Sequence, residues 1–519
     1  MPPPTGVSLA EMVATLSLAS DLGMGYPMER ALRQTVIAMR IASTMGLGDE
    51  TRAAAYYTSL LTWVSCATDT SDLARLFGDE TEVYADTHDE DLDRAAMAMF
   101  VARHLGRGSS NIRRIALVGK FFATGGRSVQ HVMMTHCRAA SDLAARLGLG
   151  AAVQRPLLEA FERWDGKGVP GEKGKADLSQ AARLVHLANN IEFFERTADV
   201  NAALAVARQR RCTQFDPEMV DCFTSQCEDI LAGLADIVAW DEVIALDPSL
   251  GRLLSEDELD VALEAFGDFA DLKSADLVGH SRGVASLAAA AAATLGLAGD
   301  VLRTLRRAAS VHDIGVIGVS TAVWDAPRWS LPQRERARTH PYLAERMLAH
   351  VPSLRAVGAL ASMHHERLDG SGYPRGLDAA AIAMSARVLA VADVYQAIGE
   401  DRPHRKAGSP EEASSILTAE VRAGRLDGEA VNAVLDAAGH RVRRRPALPA
   451  GLTSREAEVI VRVARGLSNA QIAADLHVSR KTVSSHLEHV YTKLGVSTRT
   501  EAALFAMRHG FVGGGEKIG

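Results

Sequence analysis

The sequence predicts an all-α protein in which two tandem helical domains precede a C-terminal four-helix helix-turn-helix domain. Alanine-rich stretches are frequent, and aromatic residues make up only 5% of the 519 residues, a composition that favours helices. Ala, Leu and Val recur at a spacing of three to four through the first 440 positions, as they do on amphipathic helices. A long internal repeat and two helix-capping motifs near the end of the chain predict the domain count.

The repeat organises the first 440 residues. Residues 162–170 and 366–374 share the pattern Glu-Arg-x-Asp-Gly-x-Gly-x-Pro at an offset of 204, and 182–189 resembles 386–393 at the same offset. Further upstream the matching offset is 250, so the first copy has extra residues between about 66 and 130. These include the acidic run 87–93, for which we expect a solvated loop or helix face.

Four segments follow from the repeat and from turn-forming residues. We predict a degenerate first copy at 15–245, a second copy at 255–438, a basic Pro-rich linker at 439–451 and the helix-turn-helix domain at 452–512. The net charge of −7 argues against nucleic-acid binding, but it is unevenly distributed. From Arg441 onward the balance is +7, whereas the preceding residues sum to −14. A basic module on an acidic body indicates a polyanionic partner at that end only.

The remaining bulk features indicate a cytoplasmic protein without a membrane segment. The five cysteines include no Cys-x-x-Cys pair, so we expect free thiols in a reducing compartment. The first residues lack the basic and apolar regions of an export signal. The longest apolar run, 284–299, is too short and too rich in alanine to span a bilayer.

Histidines and aspartates concentrate in the second copy. His312-Asp313 and His364-His365 are adjacent pairs, and His280 follows Asp276 by four residues, which predicts that those two share a helix face. A single histidine is more often a surface or capping residue than a ligand. Imidazoles and carboxylates in combination, however, suit Mn or Fe, and neighbouring ions of this kind can polarise a phosphodiester and activate water.

These residues resemble the HD-GYP branch of the HD phosphohydrolases over roughly 270–435. The matching pieces are His280, His312-Asp313-Ile-Gly315, His340-Pro341, His364-His365-Glu366, Asp369-Gly-Ser-Gly-Tyr-Pro374, Val391-Ala-Asp393 and Arg402-Pro403. The resemblance implies a helical domain that holds two or three Fe or Mn ions and typically hydrolyses cyclic di-GMP. It implies His312 and Asp313 as catalytic residues, and as metal ligands Asp276, His280, His312, Asp313, His340, His364, His365 and Asp393.

Two departures from the family pattern concern catalysis. Val316 stands where the family usually has a lysine that contacts substrate phosphate, and Gln396 replaces the second Asp of Ala-Asp-x-x-Asp-Ala. Arg402 and Arg405 remain as candidate phosphate partners. The departures are compatible with a weak enzyme, with another phosphate substrate, or with a sensor that binds without turnover.

The first copy lacks this chemistry. The positions that match six of the ligands carry Arg30, Thr62, Trp63, Ala160, Phe161 and Asn189. Aromatic and aliphatic side chains cannot ligate Mn or Fe, and a guanidinium would repel them. We therefore expect a metal-free copy whose role is structural, dimerising or ligand-sensing.

The C-terminal segment predicts four short helices. Thr453-Ser-Arg-Glu456 and Ser468-Asn-Ala-Gln471 are capping boxes, and Gly466 and Gly495 stand where helices should end. Apolar residues at helical spacing would form a small core, which is also compatible with a bundle for protein contacts. The polar residues on and before the helix after the short turn 477–479 favour a DNA interface.

This segment resembles the LuxR-type DNA-binding domain over about 60 residues. The matching pieces include Leu452-Thr-Ser-Arg-Glu456, Ile472-Ala473, Lys481-Thr-Val483, Lys493-Leu-Gly-Val496 and Arg499-Thr-Glu-Ala502. The resemblance implies that helix 480–494 enters the major groove of double-stranded DNA and that 501–508 mediates a homodimer. It implies contacts to DNA from Asn469, Arg480, Lys481, Thr482, Ser484, Ser485, Glu488 and Arg499, with Glu488 departing from the Lys often found there.

The sequence thus predicts a transcription regulator coupled to a metal-dependent phosphohydrolase or cyclic-dinucleotide-sensing module. The phosphate ligand would be cyclic di-GMP or a related compound. In an alternative interpretation, an active cyclic di-GMP phosphodiesterase uses its DNA-binding tail mainly for localisation.

Overall fold

The computed structural model describes residues 6–67, 94–106, 111–123, 127–249, 251–326, 328–402, 405–440, 449–496, 498–509 and 511. Within these ranges the regular structure is helical and contains no β-strand, which confirms the all-α prediction. The chain forms two compact units, residues 1–440 and 441–519. The acidic run 87–93 and residues 441–448 of the predicted linker lie outside the described ranges.

The first copy of the repeat is built from twelve described helices. They are α1 (Leu9–Gly23), α2 (Arg30–Thr44), α3 (Asp49–Leu61), α4 (Arg94–His104), α5 (Asn111–Ala123), α6 (Arg127–Arg146), α7 (Ala151–Leu158), α8 (Gln180–Thr197), α9 (Val200–Gln209), α10 (Pro217–Ser225), α11 (Cys227–Leu231) and α12 (Ala239–Ala245).

The second copy contributes ten described helices. They are α13 (Glu256–Asp271), α14 (His280–Thr294), α15 (Gly299–Val311), α16 (Thr321–Trp324), α17 (Leu331–Ala337), α18 (His340–Leu348), α19 (Arg355–Ala361), α20 (Met384–Ile398), α21 (Pro410–Arg422) and α22 (Gly428–Ala437).

The repeated loop has the same construction in both copies. The carboxylate of Glu162 accepts backbone N–H groups from residues 171–173, and that of Glu366 accepts those of Arg375 and Leu377. A Cβ atom on Gly168 would lie 2.6 Å from Cα of Glu162, and one on Gly372 would lie 2.5 Å from Cα of Glu366. The loop therefore wraps around a buried glutamate too tightly for any residue but glycine.

A buried aspartate fixes the start of one helix in each copy. Asp21 accepts the N–H of Ala31 in α2, and Asp271 accepts the N–H and hydroxyl of Ser281 in α14. Burial raises the pKa of both carboxyl groups to about 7, although hydrogen bonds and nearby cations oppose it. These caps come from a preceding helix, and they hold α2 and α14 at their first residues.

The two copies pack against each other within the first unit. The N–H of Leu254, just before the second copy, donates at 2.8 Å to the carbonyl of Val7, just before α1. The guanidinium of Arg146 lies 2.7 Å from Asp268, and the ring of Trp240 packs at 4.9 Å on His350. The tandem copies are therefore parts of one compact body.

The second unit consists of α23 (Ser454–Ala464), α24 (Asn469–Asp475), α25 (Arg480–Leu494) and α26 (Arg499–Arg508). Both predicted capping boxes form, at Thr453 and at Ser468. Gly495 ends α25 in a left-handed conformation with φ of 64°. Val459, Ile472, Val483 and Leu487 belong to a shared core, so the four-helix prediction is confirmed.

Candidate metal centre and nucleic-acid interface

The candidate ligands of the second copy lie mostly at helix ends. His280 and His340 are the first residues of α14 and α18, and His312 directly follows α15. His364 follows α19, whereas Asp393 lies inside α20. Each of these five side chains is buried. Helices that end at one point can thus gather groups that are far apart in the sequence.

Asp313 stands between two pairs of histidines. Its Oδ2 lies 3.8 Å from Nε2 of His280 and 3.6 Å from Nε2 of His312. Its Oδ1 lies 3.3 Å from Nε2 of His340 and 3.4 Å from Nε2 of His364. One carboxylate therefore faces two separate imidazole pairs, as a bridging ligand between two cations would.

Asp393 and His365 complete the cluster. Asp393 Oδ1 lies 3.3 Å from Nε2 of His280, and its Oδ2 lies 3.7 Å from Nδ1 of His365. Two groups have the spacing of ligands to one ion: His280 with His312 and Asp313, and His340 with His364 and His365. The structure thus brings together seven of the eight residues predicted as ligands.

Three of the histidines are oriented by the same type of hydrogen bond to the backbone. Nδ1 of His312, His340 and His364 lies 2.7–2.8 Å from the carbonyl oxygen three residues earlier. A carbonyl can only accept, so each Nδ1 carries a proton. In the neutral ring this leaves the Nε2 lone pair free, and such an arrangement is typical of metal-bound histidines.

The free lone pairs fit a cation. Nε2 of His312 is buried and has no hydrogen-bond partner. Nε2 of His340 and Nε2 of His364 are 3.0 Å apart, so two neutral rings would oppose their lone pairs. A divalent ion relieves this repulsion, and the residues present therefore fit a metal centre of the Mn or Fe type.

The carboxylates of the cluster are ionised. Burial alone would raise the pKa of Asp313, but His312, His340 and His364 beside it hold that pKa well below its usual range. The pKa of Asp393 is likewise lowered, because His280 and the other nearby imidazoles outweigh burial. Burial and the neighbouring His364 keep the pKa of His365 well below its usual value, so its ring is neutral.

The predicted placement of Asp276 is wrong. Asp276 lies in a separate 3₁₀ turn, Ala275–Leu277, and α14 begins only at His280, after Gly279 with φ of 86°. The two residues therefore do not share a helix face, and Asp276 is not in either ligand group. Glu400, which no sequence motif made a candidate, instead lies beside the cluster, with its Oε2 2.9 Å from Nδ1 of His280.

The two arginines considered for phosphate binding differ. The guanidinium of Arg405 donates to the carbonyls of Ala397, Ile398 and Lys406, so it is used to close the turn after α20. This argues against the predicted phosphate contact. Arg402 donates to Glu400 at 3.0 Å and thus lies next to the cluster.

An aromatic wall borders the cluster. We use this name for Trp324, Trp329 and Tyr373. The Tyr373 ring lies 4.6 Å from the ring of His365, and the Arg338 guanidinium lies 4.6 Å from the centre of the phenol ring. Trp324 packs edge-on against His340, and Trp329, which is 38% exposed, lies 6.1 Å from Trp324. This wall combines flat apolar surfaces with a cation.

In the first copy the corresponding residues meet around a guanidinium. Arg30 is 1% exposed, donates to Oδ1 of Asn189 and lies 5.6 Å from the centre of the Trp63 ring. That ring packs at 6.2 Å against Phe161. The first copy therefore keeps the meeting point of helices but places a buried cation there, which would repel a metal ion.

The second unit exposes a polar surface along α25. Arg480, Lys481, Thr482, Ser485 and Glu488 are exposed, and Ser484 is half-buried. The Arg499 guanidinium donates to Oδ1 of Asn469 at 2.9 Å, and Nδ2 of Asn469 approaches Ser484 at 3.4 Å. The predicted DNA contacts thus form one surface, in which Asn469 and Arg499 also bind each other.

Comparison with known proteins finds a domain match around each of the two candidate sites. Residues 264–430 match the family model of the HD domain, and residues 450–506 match that of the bacterial regulatory proteins of the luxR family. The 3'3'-cGAMP-specific phosphodiesterase 3 of Vibrio cholerae is 27% identical over 414 residues, which cover 79% of this chain and 90% of that protein. A crystal structure of cyclic GMP-AMP-specific phosphodiesterases of V. cholerae superposes with a TM-score of 0.56 and 25% identity, covering 84% of this chain and 98% of that one.

Shorter matches concern the individual modules. The cyclic di-GMP phosphodiesterase response regulator RpfG of Xanthomonas campestris is 37% identical over 27% of this chain and 38% of its own length. The response regulator VraR of Staphylococcus aureus is 37% identical over 14% of this chain and 35% of its own length.

The segment that holds the histidine–aspartate cluster is an HD domain. More particularly, the chain joins an HD domain, whose relatives are HD-GYP-type cyclic-dinucleotide phosphodiesterases, to a C-terminal LuxR-type helix-turn-helix domain. No helix in the described part of the chain is both long and apolar enough to cross a membrane.

Proposed function

We propose that this chain is a DNA-binding regulator that carries a metal-dependent cyclic-dinucleotide phosphodiesterase. The observation that carries the proposal is the placement of Asp313 between two pairs of buried imidazoles with inward-facing Nε2 atoms. The substrate class comes from the relatives, which are phosphodiesterases of 3'3'-cGAMP and cyclic di-GMP.

The cluster would hold two Fe or Mn ions. His280, His312 and Asp393 would bind one ion, His340, His364 and His365 the other, and Asp313 would bind both. Bound ions of this kind polarise a phosphodiester and lower the pKa of a coordinated water. With Asp276 outside the cluster, we expect two ions rather than three.

The chain's own residues would bind and orient the nucleotide. The aromatic wall offers surfaces on which purine bases stack, and the Arg338 guanidinium beside it supplies a positive charge for a phosphate. Arg402 lies on the other side of His280, where Glu400 partly neutralises it.

A second candidate function is cyclic-dinucleotide sensing without turnover. Val316, which stands where the family has a phosphate-binding lysine, is 0% exposed in the 3₁₀ segment Ile314–Gly318. It therefore offers neither a charge nor a donor to a substrate. Loss of that contact would slow hydrolysis while the metal centre could still bind the ligand.

Hydrolysis and binding measurements distinguish the two candidates. The full chain, loaded with Mn²⁺ or Fe²⁺, is assayed with cyclic di-GMP and 3'3'-cGAMP beside His312→Ala and Asp313→Ala. Hydrolysis that is lost in both variants supports the phosphodiesterase. Tight binding with no turnover favours the sensor, and neither binding nor turnover contradicts both candidates.

The C-terminal unit would bind double-stranded DNA as a homodimer. In this proposal α25 lies in the major groove, where Ser484, Ser485 and Glu488 face bases. Arg480, Lys481 and Thr482, with the linked pair Asn469 and Arg499, hold phosphates. The supporting observation is that the polar side chains of α25 form one surface with Asn469 of α24 and Arg499 of α26, while the opposite face of α25 packs in the domain core.

A further inference from the structure

His280 differs from the other imidazoles of the cluster in the group behind its ring. The Nδ1 atoms of His312, His340 and His364 donate to neutral backbone carbonyls. Nδ1 of His280 instead lies 2.9 Å from Oε2 of Glu400, a side chain that comes from beyond the end of α20. An ionised carboxylate behind an imidazole fixes its tautomer and raises its basicity more than a carbonyl does.

Glu400 is itself held in place on three sides. Its Oε1 accepts Nε2 of Gln396 at 2.8 Å, and its Oε2 accepts Arg402 at 3.0 Å as well as His280. Its side chain is 17% exposed, against 1% for His280. The carboxylate therefore has a defined position and is not a solvated surface group.

The contact depends on a close approach of α14 to α20. Gly283 lies one turn after His280, and a Cβ atom at Gly283 would come within 2.6 Å of both Nε2 and Oε1 of Gln396. A glycine there leaves the space that the amide of Gln396 occupies against α14. This packing brings the C-terminal end of α20, and with it Glu400, to the back of the His280 ring.

The first copy shows a different charge pattern at the same three places. Arg30, Glu192 and Arg196 occupy the positions of His280, Gln396 and Glu400. Arg196 donates to Glu192 at 2.8 Å, and Arg30 lies 3.8 Å from Glu192. Where a guanidinium replaces the metal ligand, the residue in the position of Glu400 is a cation rather than an anion.

We propose that Glu400 is a positioning residue for the metal ligand His280. It accepts the Nδ1 proton and thereby directs Nε2 toward Asp313 and Asp393, while Gln396 orients Glu400. The pair Gln396–Glu400 supplies the carboxylate that the usual motif carries at position 396. This inference rests on the proposed metal centre.

The test compares Glu400→Gln with Asp401→Asn in the full chain. Asp401 is the adjacent carboxylate, but it pairs with Lys406 and not with the cluster. Metal-stripped proteins are titrated with Mn²⁺, and the tautomer of the His280 ring is read from its ¹⁵N NMR shifts. We expect about 10- to 100-fold weaker Mn²⁺ binding in Glu400→Gln, the range for loss of such a supporting carboxylate. We expect no change in Asp401→Asn, and a single Nδ1–H tautomer of His280 only where Glu400 is present.

The outcomes separate this inference from the proposed function. Equal Mn²⁺ affinity and an unchanged tautomer in Glu400→Gln would overturn the role of Glu400 while leaving the metal centre intact. A wild-type chain that binds no Mn²⁺ or Fe²⁺ would contradict the metal centre itself, and with it this inference.

Discussion

Asp313 is the residue of the second copy whose carboxylate lies near four of the histidines of the cluster. Both of its oxygens face imidazole nitrogens, and its burial leaves those rings as its main electrostatic partners. The sequence made this residue a candidate because it is adjacent to His312 and repeats a family motif. It could not show that the two oxygens serve different histidine pairs, since this depends on where four helix ends meet.

Asp276 and Glu400 show the limit of residue-level prediction. A spacing of four predicts a shared helix face only if both residues lie in one helix, and the left-handed Gly279 separates Asp276 from α14. Glu400 lies 120 residues from His280, so no local pattern connects them. The one sequence signal for Glu400 is Gln396. Its amide replaces the carboxylate of the family motif, so another carboxylate could be expected nearby.

Asp21 gives a prediction on stability and pH. Burial raises its pKa from 3.8 to about 7, so its folded form stays protonated while the unfolded chain ionises. Its contribution to stability is therefore full below about pH 4 and is lost as the pH rises to about 7. At 1.36 kcal/mol per pKa unit the loss is about 4 kcal/mol.

Asp21→Asn should remove this pH dependence, because the amide keeps the acceptor for Ala31 and carries no charge. Thermal unfolding of the full chain should occur at a higher temperature than in the wild type at pH 8, with the gain shrinking toward pH 4. Asp142→Asn, an exposed carboxylate of α6, serves as the control. Parallel pH profiles for Asp21→Asn and the wild type would refute the assignment.

At the scale of elements, helix ends were predicted better than helix packing. Capping boxes at Thr453 and Ser468 and the stop at Gly495 depend on neighbours in the sequence and are confirmed. The caps that Asp21 and Asp271 provide depend on a preceding helix, so no local sequence pattern predicted them. The repeat predicted the shared loop around Glu162 and Glu366, but not how the two copies pack together.

The segment from α16 to α17 carries two of the three residues of the aromatic wall, Trp324 and Trp329. Trp329→Ala should weaken cyclic-dinucleotide binding about 5- to 150-fold, because base stacking on an aromatic side chain contributes about 1–3 kcal/mol. Isothermal titration and metal analysis are run on Trp329→Ala and on Leu331→Ala, an exposed apolar residue of the same segment. Unchanged cyclic-dinucleotide affinity in Trp329→Ala, or an equal loss of affinity in Leu331→Ala, would contradict base stacking on Trp329.

Helix α25 carries the predicted DNA contacts. Lys481→Ala should weaken binding to all DNA sequences and reduce the slope of log affinity against log salt by about 1, as expected for one lost phosphate contact. Arg465→Ala removes the same charge from the end of α23 and should leave the slope unchanged. An unaltered slope in Lys481→Ala would exclude Lys481 from the phosphate contacts.

At the scale of the whole molecule, the chain divides into two compact units after residue 440. If the HD-type unit serves transcription, deletion of 441–519 should abolish promoter-specific expression changes while hydrolysis by the remaining unit continues. Transcript levels and hydrolysis are measured for the full chain and the deletion. Expression changes that persist without 441–519 would contradict the regulator and favour an enzyme whose tail serves localisation.

The uneven charge of the chain predicted that one end, and not the rest, has a polyanionic partner. The basic residues after Arg441 belong to the unit with the LuxR-type domain, and the acidic body holds the histidine–aspartate cluster. Charge counts depend on composition alone, so they could be read without a structure. The burial of the Arg30 guanidinium could not be predicted from composition. Only the fold shows that Arg30 lies at the place in the first copy where the second copy has its metal ligands.

The proposed two-ion centre depends most on Asp313, which faces both imidazole pairs. The most direct test is the metal content per chain, measured by inductively coupled plasma mass spectrometry on wild type, Asp313→Asn and the loop control Asp369→Asn after reconstitution with Mn²⁺ or Fe²⁺. We expect two ions per chain in the wild type and in Asp369→Asn, and a loss of both ions in Asp313→Asn. Retention of both ions by Asp313→Asn, or a wild-type chain that holds none, would contradict it.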